Sequence, residues 1–172
     1  KKPNLNDWKR VVKAKLHPVK EVNVSFVGKY TELKDSYKSI NEALEHAGIQ
    51  NKAKVNINFV EAEEITPKNV KKILKNSDAV LVPGGFGERG IEGMITACKH
   101  ARENDIPYLG ICLGMQVAII EYARNILKLK SANSTEFNLE TKFPVIGLIT
   151  EWSDISGKQE KRNINSDLGG TM

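Results

Sequence analysis

The run Tyr108-Leu109-Gly110-Ile111-Cys112-Leu113-Gly114-Met115-Gln116 constrains this chain most, because it sets a cysteine between glycines where a buried strand pattern turns into a helical one. A residue at so sharp a turn is held in a strained backbone conformation, and its side chain is pushed out at the carboxyl end of the strand. Gly110 and Gly114, two positions away on either side, let strand and helix approach without side-chain collisions. This is the pattern of a nucleophile elbow. For cysteine the placement has a second effect, since the amides and dipole of a helix N-terminus favour the thiolate, the form that attacks carbonyls.

An elbow needs a sheet of parallel strands behind it, and the rest of the chain supplies one. Asn6 reads as the cap of a helix over residues 7–16, with Leu5, Trp8, Val11, Val12 and Leu16 on one stripe and Lys9, Arg10, Lys13 and Lys15 mostly opposite. His17-Pro18 ends it. Residues 1–20 therefore read as a connector helix from a preceding domain, and pattern alone allows an ordinary amphipathic surface helix as readily. A strand over 22–27 leads through Gly28-Lys29-Tyr30 to a helix over 36–46 stopped by Gly48, then a strand over 54–60. Thr66-Pro67 starts a helix with Val70, Ile73 and Leu74 inward, and residues 79–82 form a short buried strand running into Pro83-Gly84-Gly85. Helix 91–104, strand 107–111 and helix 113–126 follow. Such alternation predicts an α/β fold, a doubly wound, mostly parallel open sheet with helices on both faces. Ligands in that architecture sit beyond the carboxyl ends of the strands, where the glycine-rich loop and the elbow both emerge. After Asn133 the character changes to an apolar strand over 144–150 and a hairpin turn at Ser156-Gly157-Lys158 within 152–162.

At 172 residues the chain is the size of one domain with one core. Its two cysteines, Cys98 and Cys112, and three histidines lack metal-type spacing, which argues for a reducing compartment, the cytoplasm by default, and against a disulfide framework or a metal site. No apolar run approaches the roughly 20 residues of a membrane span, and the first residues lack the apolar stretch of a signal peptide. The net charge of +5 comes from scattered lysines with few aromatic residues among them, which reads as a solvated surface and not as a nucleic-acid site. The chain starts without methionine and stops at Gly169-Gly170-Thr171-Met172 with no closing helix signal, so a piece of a longer protein is expected.

An acyl-transfer centre needs a nucleophile, donors for the oxyanion, a base, and groups that recognise the substrate. Cys112 supplies the thiol. The amide of Leu113, next to the nucleophile, is placed to donate to a developing oxyanion. A second donor should come from a loop whose backbone approaches closely, and Gly84-Gly85-Phe86-Gly87 offers one, with Gly85 the choice. By itself such a run could equally be a plain flexible turn. Cys98 shares a helix face with Ile91, Ile95 and Ala101 and reads as core. His17, His46 and His100 have no evident reason to meet Cys112; in sheets of this type the base often arrives later in sequence.

These residues resemble the class I glutamine amidotransferase family, of flavodoxin-like fold, whose mark is the elbow PYLGICLGMQ at 107–116. Within it, VPGGFGERGIEGM at 82–94, SANSTEF at 131–137, ITEW at 149–152, SDLGGTM at 166–172 and GKYTELKDSYKS from Gly28 are similar to the glutaminase domains of CTP synthases. The likeness covers essentially the whole chain, and residues 21–172 are identified on it as an amidotransferase domain. The resemblance implies hydrolysis of glutamine to glutamate and ammonia through a cysteine thioester, the ammonia passing to a separate synthetase domain of the same polypeptide that aminates UTP at the expense of ATP. It implies Cys112 as nucleophile, Gly85 and Leu113 as oxyanion amides, and Gly85, Phe86, Leu113, Gly114, Met115, Gln116 and Glu136 around the glutamine. The carboxylate of Glu136 suits an α-ammonium group. Arg89, Gly90 and Glu92 fall in a lid segment linked to activation by GTP, although an exposed charged loop would look the same. No cofactor is implied in this domain; ATP and Mg2+ belong to the synthetase domain, and the full-length enzymes are homotetramers. The family's catalytic histidine and glutamate, in a His-x-Glu segment, fall beyond Met172 and the synthetase domain before Lys1, so the resemblance implies that the C-terminal part is missing and that this piece alone is nearly inert. Two rivals stay open: a glutaminase serving another synthetase, which leaves SANSTEF and SDLGGTM unexplained, and a non-catalytic amidotransferase-like module.

Overall fold

The strand β1 (Lys20–Gly28) alternates its side chains between two apolar layers, with Val24 and Phe26 in one and Val27 in the other. In the computed structural model, which describes residues 3–29, 34–149, 151–153 and 159–161, it lies inside a four-stranded parallel sheet. The others are β2 (Ala53–Glu61), β3 (Ala79–Val82) and β4 (Tyr108–Gly110), in the order β2-β1-β3-β4. Phe26 stands opposite Phe59 on one side and Leu81 on the other. Its ring packs 5.1 Å from that of Phe59 and 4.7 Å from that of Tyr37.

Helices cover both faces, as the alternation predicts. The helix α1 (Asn6–Leu16) precedes the sheet, and α2 (Lys38–Gln50) sets Ile40 and Leu44 against Val24, Phe26 and Leu81. On the other face α3 (Val70–Ile73), α4 (Ile91–Glu103) and α5 (Leu113–Asn125) enclose the larger core. There Val27, Val80 and Val82 meet Val70, Met94, Ile95, Leu113, Val117 and Ile120. Each such side chain withdrawn from water contributes about 1.5–3 kcal/mol. Because β1 is flanked by β2 and β3, the chain reverses its winding between β1 and β3, and the loops after these two strands open onto a common crevice.

Several local expectations are corrected. Asn6 is the first residue of α1 and not its cap; its own N–H donates to Asn4 Oδ1 at 3.1 Å. No residue of α1 is buried, and Leu5, Trp8, Val12 and Leu16 are all exposed. Gly48 does not stop α2, which runs on to Gln50. It is there for packing, since a methyl group on it would lie 2.6 Å from the carbonyl oxygen of Ala53. Thr66-Pro67 opens a turn, with the Thr66 N–H donating to Asn69 Oδ1 at 2.7 Å, and α3 is a single turn beginning at Val70. The apolar strand expected over 144–150 is β6 (Phe143–Ile146), which pairs in parallel with β5 (Ala132–Ser134) outside the main sheet. Finally β7 (Glu151–Ser153) and β8 (Gln159–Lys161) pair antiparallel, as a hairpin requires. The turn residues Ser156, Gly157 and Lys158, and the SDLGGTM stretch, lie outside the described residues.

Candidate active site

Between β4 and α5 the chain reverses within two residues, and Cys112 is the cap of the helix with φ 51° and ψ −102°. A non-glycine residue there is strained by about 1–3 kcal/mol, so surrounding packing must enforce it. Gly114 lies so close to β3 that a methyl group on it would stand 2.2 Å from the carbonyl oxygen of Val82. One on Gly110 would stand 2.4 Å from the carbonyl carbon of Gly114. The Ile111 N–H donates to Val82 O at 2.9 Å and the Tyr108 hydroxyl to Gly114 O at 2.8 Å, closing the turn from both sides. Burial of Tyr108 raises its phenol above the ordinary tyrosine range, so it remains a neutral donor. The Cys112 thiol is left exposed at the mouth of the 13-residue helix α5.

The glycine-rich loop reaches the same place. A methyl group on Gly84 would lie 3.6 Å from Cys112 Cβ, and one on Gly85 would lie 3.3 Å from Leu113 Cδ2. The structure thus brings Gly84 and Gly85 together with Cys112 and Leu113, although they come from different strands. Glu136, far along the chain after β5, joins them by accepting the Gly87 N–H at 2.7 Å on Oε1. Phe86 and Met115 are both more than half exposed around this mouth. Gln116 buries Oε1 with no hydrogen-bond partner among the described residues.

Arg89, Gly90 and Glu92 are engaged elsewhere. Arg89 pairs with Glu63, and Glu92 pairs with Arg124 at 2.8 Å. Gly90 caps α4 in the left-handed region at φ 72°, against the Ala62 side chain. Together they fasten the start of α4 to its neighbours. None of the three histidines is bonded to the thiol: His17 caps α1, His46 lies in α2, and His100 meets Asn104 at the end of α4. Cys98 is core as expected, and burial pushes its thiol up to about 12.

Two features went unread in the sequence. Lys29 is buried, its ammonium donating to the carbonyl oxygens of Phe86 at 2.9 Å and Gly87 at 2.6 Å. Burial lowers its pKa from the ordinary lysine range, while the Glu136 carboxylate works in the opposite direction. Glu121 on α5 is buried and pairs through both oxygens with Arg102 of α4. Cavities of about 540 and 390 Å³ lie between α1 and α2 and along α2, lined by none of the candidate residues. No helix among the described residues is long and apolar enough to cross a membrane.

Residues 32–154 match the sequence profile of glutamine amidotransferase class-I. A solved structure of the Trypanosoma brucei CTPS glutaminase domain with bound acivicin is similar at 41% sequence identity and a TM-score of 0.70, over 74% of this chain and 50% of that one. The chain spans about half the length of that structure.

Proposed function

Since the chain belongs to the class I glutamine amidotransferase family, we propose that it hydrolyses the side-chain amide of glutamine through a thioester on Cys112. Sγ attacks the amide carbon, and the carbonyl oxygen becomes an oxyanion between the N–H groups of Gly85 and Leu113. Collapse breaks the C–N bond, the departing NH2 group taking up the proton given up by the thiol and leaving as ammonia. Water then attacks the thioester, returning the thiol and releasing glutamate. Glu136 and the unpartnered acceptor of Gln116 are suited to the substrate's ammonium and N–H groups. Since His17, His46 and His100 are not bonded to the thiol, proton transfer is assigned to a group other than these.

The same reading places the ammonia in the service of a synthetase domain that aminates UTP with ATP and Mg2+, with GTP as activator acting near Arg89, Gly90 and Glu92. The 41% identity to the trypanosomal domain and the stretches SANSTEF and VPGGFGERGIEGM support this branch of the family over others. One observation carries the proposal above the rest: an exposed cysteine held at positive φ by two glycines that admit no side chain. In the intact polypeptide, Cys112→Ala should lower glutamine-dependent CTP formation by about 10⁴-fold or more while ammonia-dependent formation stays near wild type. Equal loss of both, or no change in either, would refute the reading. A protein that hydrolyses glutamine but forms no CTP would assign the domain to another synthetase.

A further inference from the structure

A loop that contributes an oxyanion donor must hold that donor still, and four residues rich in glycine do not do so unaided. Gly87 sits at φ 76°, and a methyl group built on it would meet nothing within 4 Å, so no side-chain packing holds the loop at this point. The stillness has to come from outside the loop. Its upstream end is fixed, because Pro83 follows β3, whose last carbonyl is pressed against Gly114 and accepts the Ile111 N–H. At the downstream end the Phe86–Gly87 peptide is gripped from both sides. Its carbonyl accepts from the Lys29 ammonium at 2.9 Å, and its N–H donates to Glu136 Oε1 at 2.7 Å. A second bond from the same ammonium to Gly87 O, at 2.6 Å, holds the next peptide.

Lys29 reaches this loop from the end of β1, and only 6% of its surface is exposed. Burying an ammonium is unfavourable unless every donor finds work, so an apolar residue would fill this space at lower cost if filling it were the whole task. On that ground, and resting on the glutaminase reading above, we infer that Lys29 is a positioning residue for the oxyanion loop. Its ammonium fixes the Phe86 and Gly87 peptides and thereby keeps the Gly85 amide beside that of Leu113. Lys29 touches neither the thiol nor the oxyanion. It acts through the loop.

The test compares Lys29→Met and Lys29→Arg with wild type in the intact polypeptide. Met keeps the aliphatic stem and loses the donors; Arg keeps both charge and donors. Lys29→Met should lower kcat for glutamine about tenfold to a hundredfold, as small displacements of an oxyanion donor do, with KM within about threefold. The rate of Cys112 alkylation by iodoacetamide, which passes through no oxyanion, should stay within about twofold. Lys29→Arg should recover at least part of the lost kcat. Amide hydrogen exchange across residues 84–87 should quicken in Lys29→Met and not in Lys29→Arg. Unchanged kcat, or parallel loss of hydrolysis and alkylation, would overturn the inference. If Lys29→Met does not fold, Lys29→Arg decides through loop exchange: wild-type protection supports the clamp, and lost protection overturns it. If wild type hydrolyses no glutamine, the glutaminase reading has failed, and unaltered loop exchange in Lys29→Met would overturn the clamp separately.

Discussion

Cys112 holds a backbone conformation that glycine adopts freely and other residues resist, at φ 51° and ψ −102°. In ordinary helices and strands glycine is less stable than alanine by about 0.5–1 kcal/mol, and here the order should invert. Cys112→Gly is expected to be more stable than Cys112→Ala by about 1 kcal/mol, read from urea denaturation midpoints with unchanged slopes. Equal stabilities, or the usual order, would mean that no strain is stored at the elbow. This residue was legible in the sequence because its signature is local, with every part within a few positions of the cysteine. Lys29 was not, because the carbonyls that explain it lie 57 and 58 residues further along the chain. Glu136 was read as a substrate contact on resemblance, while its bond to Gly87 depends on a fold that brings β5 beside the loop after β3.

At the level of elements, the glycines separate those required for close approach from those that merely turn. Gly114→Ala drives a methyl group to 2.2 Å from Val82 O, between a strand and a helix that have no room to part. A loss of about 3 kcal/mol or more is expected from overpacking. Gly147→Ala, with nothing within 4 Å, should change stability by no more than about 0.5 kcal/mol. Thermal melts of the two variants check both, and similar shifts would contradict the tight elbow. The pair Arg102–Glu121 ties α4 to α5 with Glu121 almost wholly buried. Arg102→Met should cost about 3 kcal/mol by stranding that carboxylate, and adding Glu121→Leu should restore most of it. An additive double mutant in urea denaturation would argue against the pair. Helix and strand types were readable from periodicity. Some boundaries were not, as at Gly48, where a residue that commonly ends helices instead makes room for the backbone of β2.

At the scale of the whole molecule, alternation of apolar runs was enough to give the parallel sheet and its two helical layers, because crossovers of this length have few other solutions. Strand order and the meeting of loops from β1, β3 and β4 follow from topology and not from any local pattern. Strand β5 and its pairing with β6 escaped for the same reason, although a strand over 144–150 was expected: three- and four-residue strands carry too little periodicity to announce a partner. The sheet and elbow together make one claim, that an exposed thiol at the carboxyl edge attacks a glutamine amide. Treating the intact polypeptide with a glutamine-analogue diazo-ketone and mapping the adduct by peptide mass spectrometry tests it most directly. The account predicts one adduct, on Cys112, suppressed by excess glutamine, with buried Cys98 unlabelled. An unmodified Cys112, or an adduct that glutamine does not compete away, would contradict it.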